Sequence, residues 1–255
     1  MKTIFVLSIL LLVGCSVDGQ RNDNSISNQP DLVFDDGILI SFKGVDFSKY
    51  EIEDEFFYLY EITLDDMFCF ATEECDVNLI IELLKKGVDV NYLCEGVDHV
   101  ITGLAFCKEH AVKLAEMFLS KGADINGADQ DNASFLSYAI SLDNFDLVEF
   151  LIKNGANPIH RDTNRNLGCL PIHKVRSIQM LKLLIENGFA IDQNCYNGRN
   201  LLHFTAMKNS AEVAEYLIEN QLVEISQKDN NGETPLDYAN RFNSPEVAKI
   251  IEENL

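Results

Sequence analysis

The stretch Leu151-Ile152-Lys153-Asn154-Gly155 decides the fold, because the chain repeats it. Two large apolar residues, two polar residues and a glycine return at residues 184–188, and the pattern without its glycine occupies residues 217–221. Two earlier copies and one later copy complete a series whose first apolar residues are Leu83, Phe118, Leu151, Leu184, Leu217 and Ile250. The first interval is two residues longer than the others, which are equal. A fixed period of about 33 residues is typical of stacked helix pairs.

The physical chemistry of each copy agrees with this interpretation. Glycine at a helix end adopts a positive φ at little cost, whereas Gln221 in the fifth copy does so less readily. Neither helix of a pair can bury its apolar face alone, so stacked neighbours must supply the core. The period therefore predicts an all-α solenoid of about six helix-turn-helix units over residues 63–255.

Segments that flank the repeated stretch resemble one known repeat. Gly122-Ala123-Asp124-Ile125-Asn126 and Gly232-Glu233-Thr234-Pro235-Leu236 look like the glycine-alanine-aspartate turn and the helix opening of ankyrin repeats, and looser copies of the opening begin at Asn200 and Leu170. Thr102-Gly103-Leu104-Ala105, interpreted as the opening of the second unit, lacks proline and histidine, and the fourth unit is about three residues short. The resemblance implies helix pairs joined by hairpin-like loops and a protein-binding surface.

In the ankyrin family, partners contact the hairpin tips and the exposed side of the first helices. Tyr196, Met207 and Phe242 are the strongest expected contacts, because aromatic and methionine side chains are costly to expose to water unless a partner covers them. Carried over position by position, the expected contacts at the tips are Gln130, Asp131, Ala133, Asn166, Leu167, Cys169, Tyr196, Asn197, Arg199, Asn230, Asn231 and Glu233. Those on the first helices are Ser141, Leu142, Met207, Lys208, Arg241 and Phe242.

Catalytic constellations are not apparent in the sequence. His173 and His203 fall on the histidine that bridges neighbouring repeats in the family, and His99, His110 and His160 have no obvious paired acid or nucleophile. The chain has neither a glycine-rich phosphate loop nor a GxSxG motif. We therefore expect a non-catalytic chain without cofactor or metal.

The N-terminus has the features of an export signal. Lys2 precedes an apolar run from Ile4 to Val13, and about ten residues are too few to cross a bilayer as a helix. Leu12-Val13-Gly14-Cys15 resembles the bacterial lipobox, which implies that the Cys15 sulfur is acylated and that Cys15 begins the mature chain. The alternative is an ordinary signal peptide, cut elsewhere, with Cys15 discarded. Ser16 after the cysteine favours the outer membrane, facing the periplasm.

These observations divide the chain into four segments. Residues 1–14 are predicted to be a signal peptide, and the polar residues 15–30 a lipidated flexible tether. Residues 31–62 are rich in aromatic residues and are interpreted as an irregular N-terminal cap or as a patch that binds the partner. Residues 63–255 form the predicted repeat domain.

The overall charge limits the class of partner. The formal net charge is −21, and removal of Lys2 with the signal leaves 19 basic against 41 acidic residues. Such a surface repels phosphate backbones, so it disfavours nucleic acid and favours a basic protein partner.

Six cysteines follow Cys15 in a chain expected to enter an oxidising compartment, where disulfides form. Cys169 and Cys195 lie near adjacent predicted hairpin tips, so we predict a disulfide between them. Cys69 and Cys107 occupy similar helix positions in adjacent units, where packed thiols can stay reduced.

The sequence leaves two binding functions open. One is an immunity or inhibitor protein that binds a toxic effector at the membrane, and the other is a periplasmic scaffold for an endogenous envelope or antioxidant enzyme. An enzyme with an unrecognised site is the third and weakest hypothesis. For the free protein we expect a monomer.

Overall fold

A computed structural model describes residues 32–35, 38–42, 45–46, 64–94, 98–163 and 168–255. The predicted signal peptide, Cys15 and the tether lie outside these residues, as do Asn166 and Leu167. The described chain divides into two compact parts, up to Tyr92 and from Leu93 onward. No helix among the described residues has the length and apolar character needed to cross a bilayer.

The first part contains a small sheet and one helix pair. Strands β1 (Leu32–Asp35), β2 (Ile38–Phe42) and β3 (Val45–Asp46) pair in sequence order, all antiparallel. The helices are α1 (Leu64–Glu73) and α2 (Val77–Lys86). The Asp76 side chain caps α2, and Gly87 ends it with φ 83°. The N-terminal segment thus contains regular strands within the region predicted to be irregular.

The second part contains five further helix pairs, which makes six repeats in the described chain. A two-stranded ladder of β4 (Leu93–Cys94) and β5 (Asp98–His99) precedes them. The second repeat consists of the 3₁₀ helix Val100–His110 and α3 (Ala111–Ser120), and the third of α4 (Phe135–Ser141) and α5 (Phe145–Lys153). The remaining elements are the 3₁₀ helix Pro171–Lys174 and α6 (Ile178–Glu186) in the fourth repeat, α7 (Leu201–Lys208) and α8 (Ala211–Glu219) in the fifth, and α9 (Pro235–Arg241) and α10 (Pro245–Glu252) in the sixth.

The predicted periodicity corresponds to burial. The first apolar residues of the first five copies, from Leu83 to Leu217, are fully buried, and Gln221 adopts φ 53° in place of glycine. In the sixth copy the buried residue is Ile251 rather than Ile250. The predicted spacing is wrong there by one residue, because the chain between the start of α7 and the start of α9 is one residue longer than the period.

The second repeat begins three residues earlier than its sequence suggested. His99, not Thr102, is the residue that precedes the helix, and its Nδ1 accepts a hydrogen bond from the Ile101 N–H at 3.4 Å. The His99 ring is buried against Gly127, where a Cβ atom would lie 2.5 Å from it. The prediction failed because a histidine caps this helix in place of threonine. The predicted short fourth repeat is present, since a single 3₁₀ turn replaces its first helix.

Candidate functional site

The hairpin tips of the second part are linked by hydrogen bonds that backbone N–H groups donate. The Gln130 N–H donates to Asp98 Oδ1 at 2.8 Å, and the Thr163 N–H donates to the Asp131 carbonyl at 2.6 Å. Further along the chain, the Asn230 N–H donates to the Asn197 carbonyl at 2.8 Å. These bonds connect consecutive repeats and use backbone groups that loops otherwise leave to water. The tips therefore form an ordered row.

Two aspartates shape their tips in the same way, one in the third repeat and one in the sixth. Oδ1 of Asp229 accepts hydrogen bonds from the N–H groups of Asn231 and Glu233, and Asp129 does the same for residues 131 and 133. The hydroxyl of Tyr238 donates to Asp229 at 2.8 Å, and that of Tyr138 donates to Asp129 at 2.5 Å. Each aspartate thereby holds its own turn and the following helix together.

The ionisation of this cluster favours a structural role. Burial raises the pKa of the Asp229 carboxyl, but hydrogen bonds from Tyr238, the Asn231 N–H and Arg199 outweigh it and hold that pKa below its usual range. Burial and the hydrogen bond to Asp229 raise the pKa of Tyr238 to about 12. A permanently ionised carboxylate beside a permanently neutral phenol does not exchange protons near neutral pH.

Tyr196 is the most exposed aromatic side chain of the tips, with 66% of its surface accessible. The Arg161 guanidinium lies 5.1 Å from its ring centroid. That guanidinium is itself fixed, because it donates to the carbonyls of Gly168 and Asn194 and to Gln193 Oε1. The ring also lies against Gly168, where any Cβ atom would overlap it. We call Tyr196, Arg161 and Gly168 the tyrosine platform.

A disulfide adjoins the tyrosine platform. Cys169 and Cys195 are bonded, with their Cα atoms 4.5 Å apart, and both are buried. The structure thus contains the disulfide proposed between adjacent tips, and Cys169 is not available as the partner contact expected of it. Cys69 and Cys107, expected to remain reduced, are also disulfide-bonded, so that expectation is wrong. Burial does not keep a thiol reduced where the fold brings a second cysteine within bonding distance.

The sixth repeat presents a second group of aromatic and basic side chains. Arg199 and Arg241 lie over the buried Tyr238 ring, at 4.9 and 4.8 Å from its centroid. Phe242 stacks on the same ring at 6.1 Å and is 45% exposed. Arg241 also forms an ion pair with Glu233. Of this group, Arg241 and Phe242 face solvent.

Two further expected partner contacts have intramolecular roles. Arg199 Nε lies 3.4 Å from Asp229 Oδ2, and only 16% of the arginine side chain is exposed. Lys208 Nζ donates to the carbonyls of His173 at 2.7 Å and Val175 at 3.0 Å, which links the fifth repeat to the fourth. Burial, together with neighbouring basic groups, lowers the pKa of Lys208 to about 7. We therefore do not count Arg199 and Lys208 in the contact surface.

The structure distributes the remaining expected contacts between exposed and half-buried positions. The exposed ones are Gln130, Leu142, Tyr196, Asn230, Asn231, Arg241 and Phe242. The half-buried ones are Asp131, Ala133, Ser141, Asn197, Met207 and Glu233. Phe106 is an exposed aromatic residue that the sequence did not predict as a contact. In the expected register it is equivalent to Tyr138, which packs inward, whereas the register of the structure makes it equivalent to Ser141.

The histidines of the first helices are structural. Burial lowers the pKa of both His173 and His203 to about 4, so both rings are neutral at neutral pH. His203 Nε2 lies 3.2 Å from the Glu233 carbonyl of the next repeat, as the resemblance implied. Among the described residues, no cluster of histidine, cysteine, aspartate or glutamate has the size and arrangement to hold a metal ion.

Comparison with known proteins gives one family. The family model for ankyrin repeats, in three copies, matches residues 68–162 and 172–254. A chain from the solved complex of a predatory endopeptidase from Bdellovibrio bacteriovorus with an immunity protein is similar, with a TM-score of 0.61 and 21% identity. That similarity covers 74% of this chain and 97% of the other, and at this identity it shows the fold alone.

Curated relatives share the repeats over shorter stretches. An ankyrin repeat protein of fowlpox virus (strain NVSL) is 31% identical over 138 residues, which is 53% of this chain and 20% of the viral protein. The ankyrin repeat and KH domain-containing protein mask-1 of Caenorhabditis elegans is 29% identical over 110 residues, 42% of this chain and 4% of that protein. The chain thus spans a fifth or less of the length of these relatives.

Proposed function

The chain belongs to the ankyrin-repeat family, and from this premise we propose that it is an immunity or inhibitor protein that holds a toxic effector at the bacterial envelope. Ankyrin repeats bind other proteins, and the family match indicates no catalytic domain. In this proposal the repeat domain forms a non-catalytic complex with the effector, and the acylated Cys15 tethers it to the outer membrane on the periplasmic side.

The tyrosine platform carries the proposal. An aromatic side chain that is 66% exposed yet fixed by a guanidinium, a glycine and a neighbouring disulfide loses little conformational freedom when a partner covers it. Tyrosine and arginine dominate the energetics of protein interfaces. Preorganisation of this kind favours tight, long-lived complexes, which an inhibitor requires.

The predicted tether and the similarity to a solved chain also support the proposal. A tether of about 15 polar residues would keep the domain close to a membrane under attack. The similar solved chain comes from a complex of a predatory endopeptidase with an immunity protein, and this origin is compatible with an inhibitor role.

The first experiment measures binding to the product of the adjacent gene. The chain from Ser16 onward, which carries no lipid, is titrated with that product. Tyr196→Ala should weaken binding about 30-fold, the loss expected when a central aromatic contact is removed. Tyr196→Phe is the matched control and should stay within threefold, because it keeps the ring over Gly168 and under Arg161. Equal affinity for all three proteins would refute a role for the tyrosine platform.

The second experiment separates inhibition from support. If the chain is an immunity protein, the complex blocks the partner's lytic activity and cells that lack the gene die when the effector reaches their periplasm. Cys15→Ala in the full chain should reduce protection in cells, whereas the purified chain from Ser16 onward, which carries no lipid, should still bind the effector. A bound partner that keeps its activity, or gains stability, would instead identify a scaffold for an endogenous enzyme and overturn the inhibitor proposal.

A further inference from the structure

A groove of about 660 Å³ lies in the second part, between the second and third repeats, with apolar and charged side chains in its lining. Its apolar lining includes Phe106, Leu142 and Phe145, which are 51%, 45% and 38% exposed. Leu142 and Phe145 follow the C-terminal end of α4, whereas the hairpin tip of the same repeat precedes its N-terminal end. The groove is therefore separate from the row of tips that the proposed function uses.

Large exposed apolar groups gathered in one concavity are unusual on a surface that faces only water. Single exposed apolar residues need no explanation, but three around one groove indicate an occupant. The backbone beside them is held in an uncommon conformation, since Lys108 has φ 47° and ψ −121°. The Asn144 side chain donates to the Lys108 carbonyl at 3.4 Å across the groove wall. Sparsely populated conformations of this kind concentrate where a protein binds something.

The charges around the groove identify the chemistry of that occupant. Glu109, Asp143 and Asp146 line it together with one base, Lys108. Asp143 Oδ1 accepts a hydrogen bond from the Ser177 hydroxyl at 2.9 Å, which fixes one carboxylate in place. The lining thus combines exposed apolar side chains with an excess of two negative charges. A segment with apolar side chains between lysines or arginines complements both features.

We infer that this groove docks a basic, apolar-centred segment of the protein partner, such as a loop or helix with a leucine or aromatic side chain flanked by Lys or Arg. The inference rests on the proposed binding function and adds a second contact region to the tyrosine platform. In the complex the apolar side chain fills the space between Phe106, Leu142 and Phe145. Its basic neighbours meet the three carboxylates of the lining.

Two synthetic peptides test the inference directly. They share a Leu-Trp-Leu centre, and one is flanked by lysines while the other is flanked by glutamates. Because the chain has no tryptophan, the peptide tryptophan alone reports binding through a shift of its emission. Titrated into the chain from Ser16 onward at 150 mM salt, the lysine peptide should bind at least tenfold more tightly than the glutamate peptide.

Variants locate the binding and separate it from general attraction to an acidic surface. Phe106→Ser should weaken the lysine peptide at least fivefold. Ile159→Ser should leave it unchanged, because Ile159 is 59% exposed but does not line the groove. Reversal of Glu109 and Asp146 to lysine should make the glutamate peptide the tighter ligand. Thermal unfolding of each variant checks that the fold is intact, and Phe145→Ser replaces Phe106→Ser if the latter is unstable.

Three outcomes would overturn the inference. The first is no emission shift with either peptide at 1 mM, and the second is equal weakening by Phe106→Ser and Ile159→Ser. The third is a concentration-dependent dimer, seen by sedimentation, that Phe106→Ser abolishes, since a second copy would then be the occupant. Tyr196→Ala should not affect the peptide titration. Failure of the groove and failure of the tyrosine platform are therefore distinguishable.

Discussion

Replacement of Tyr238 by phenylalanine tests the contacts that fix the tips of the last two repeats. Tyr238 is buried, and its hydroxyl donates at 2.8 Å to Asp229, whose carboxylate also lies beside Arg199. Phenylalanine keeps the ring that His203 meets edge-on at 5.2 Å and that Arg199 and Arg241 cover. The substitution therefore removes one hydrogen bond and little packing.

The expected loss follows from the character of that bond. A hydrogen bond to a buried charged acceptor contributes about 1.5–3 kcal/mol, so the unfolding free energy at pH 7 should fall by about 2 kcal/mol. The pKa of Tyr238 in the fold is about 12, above its ordinary value of 10.0. A raised pKa of this kind gives stability that is complete below pH 10 and is lost as the pH rises toward 12. The difference between wild type and variant should therefore shrink in that range.

Urea unfolding of the chain from Ser16 onward, followed by circular dichroism at pH 7, 9 and 11, measures this difference. Tyr216→Phe is the control, because the Tyr216 ring is half-buried and keeps its contact with Lys182 Nζ, 5.2 Å from the ring centroid. This substitution should change the unfolding free energy by less than about 0.5 kcal/mol. A loss at pH 7 no larger than the control, or one that is the same at pH 11, would refute the reasoning.

Three further predictions concern the links between repeats. Replacing Cys169 and Cys195 by alanine removes a disulfide with a sequence separation of 26. The loop entropy predicts that the unfolding free energy measured in urea falls by about 3.5 kcal/mol. A fall below about 1 kcal/mol would contradict this account. Lys208→Met should destabilise the fold more at pH 9 than at pH 6. The pKa of Lys208 is about 7 in the fold and 10.5 in its ordinary state, so the buried charge of the wild type opposes folding most at low pH. Equal losses of stability at both pH values would argue against this account. His203→Gln should reduce the loss of stability that occurs as the pH falls from 6.5 to 4. The folded pKa of His203 is about 4 and its ordinary value is 6.5, so unfolding of the wild type takes up a proton in this range. An unchanged pH dependence would assign the loss to other groups.

The repeat architecture was predictable because its signals are local. In the first five copies the first apolar residue of the repeated stretch is buried in a core that only the neighbouring repeat can complete, so burial recurs with the period of the sequence. Leu151 and Leu184 are fully buried as this argument requires. The second repeat was placed three residues too late because the expected threonine, Thr102, lies inside the helix. The Thr102 hydroxyl donates a hydrogen bond to the His99 carbonyl at 2.8 Å, within the first turn of that helix.

The candidate site was predictable in position but not in detail. The family's pattern placed Tyr196 at a tip, yet only the structure shows that Arg161 and Gly168, both in the preceding hairpin, hold its ring. Long-range contacts of this kind leave no trace in the spacing of one sequence. For the same reason Lys208 looked like an exposed base, whereas its ammonium group is committed to two carbonyls of the preceding repeat.

The distribution of charge adds a constraint that the net charge does not contain. The net charge of −21 favours a basic partner anywhere on the surface, but the described residues distribute charge unevenly. Three carboxylates line the groove between the second and third repeats. By contrast, Lys174 and Arg176 adjoin Lys208 between the fourth and fifth repeats, where they lower its pKa. Lys208 is bonded to two carbonyls and Lys174 is paired with Asp162, so Arg176 is the member of this group that is exposed. A partner that covers both regions is expected to place basic residues over the groove and an acidic residue over Arg176. Complementarity of this kind fixes the orientation of a bound protein as well as its affinity.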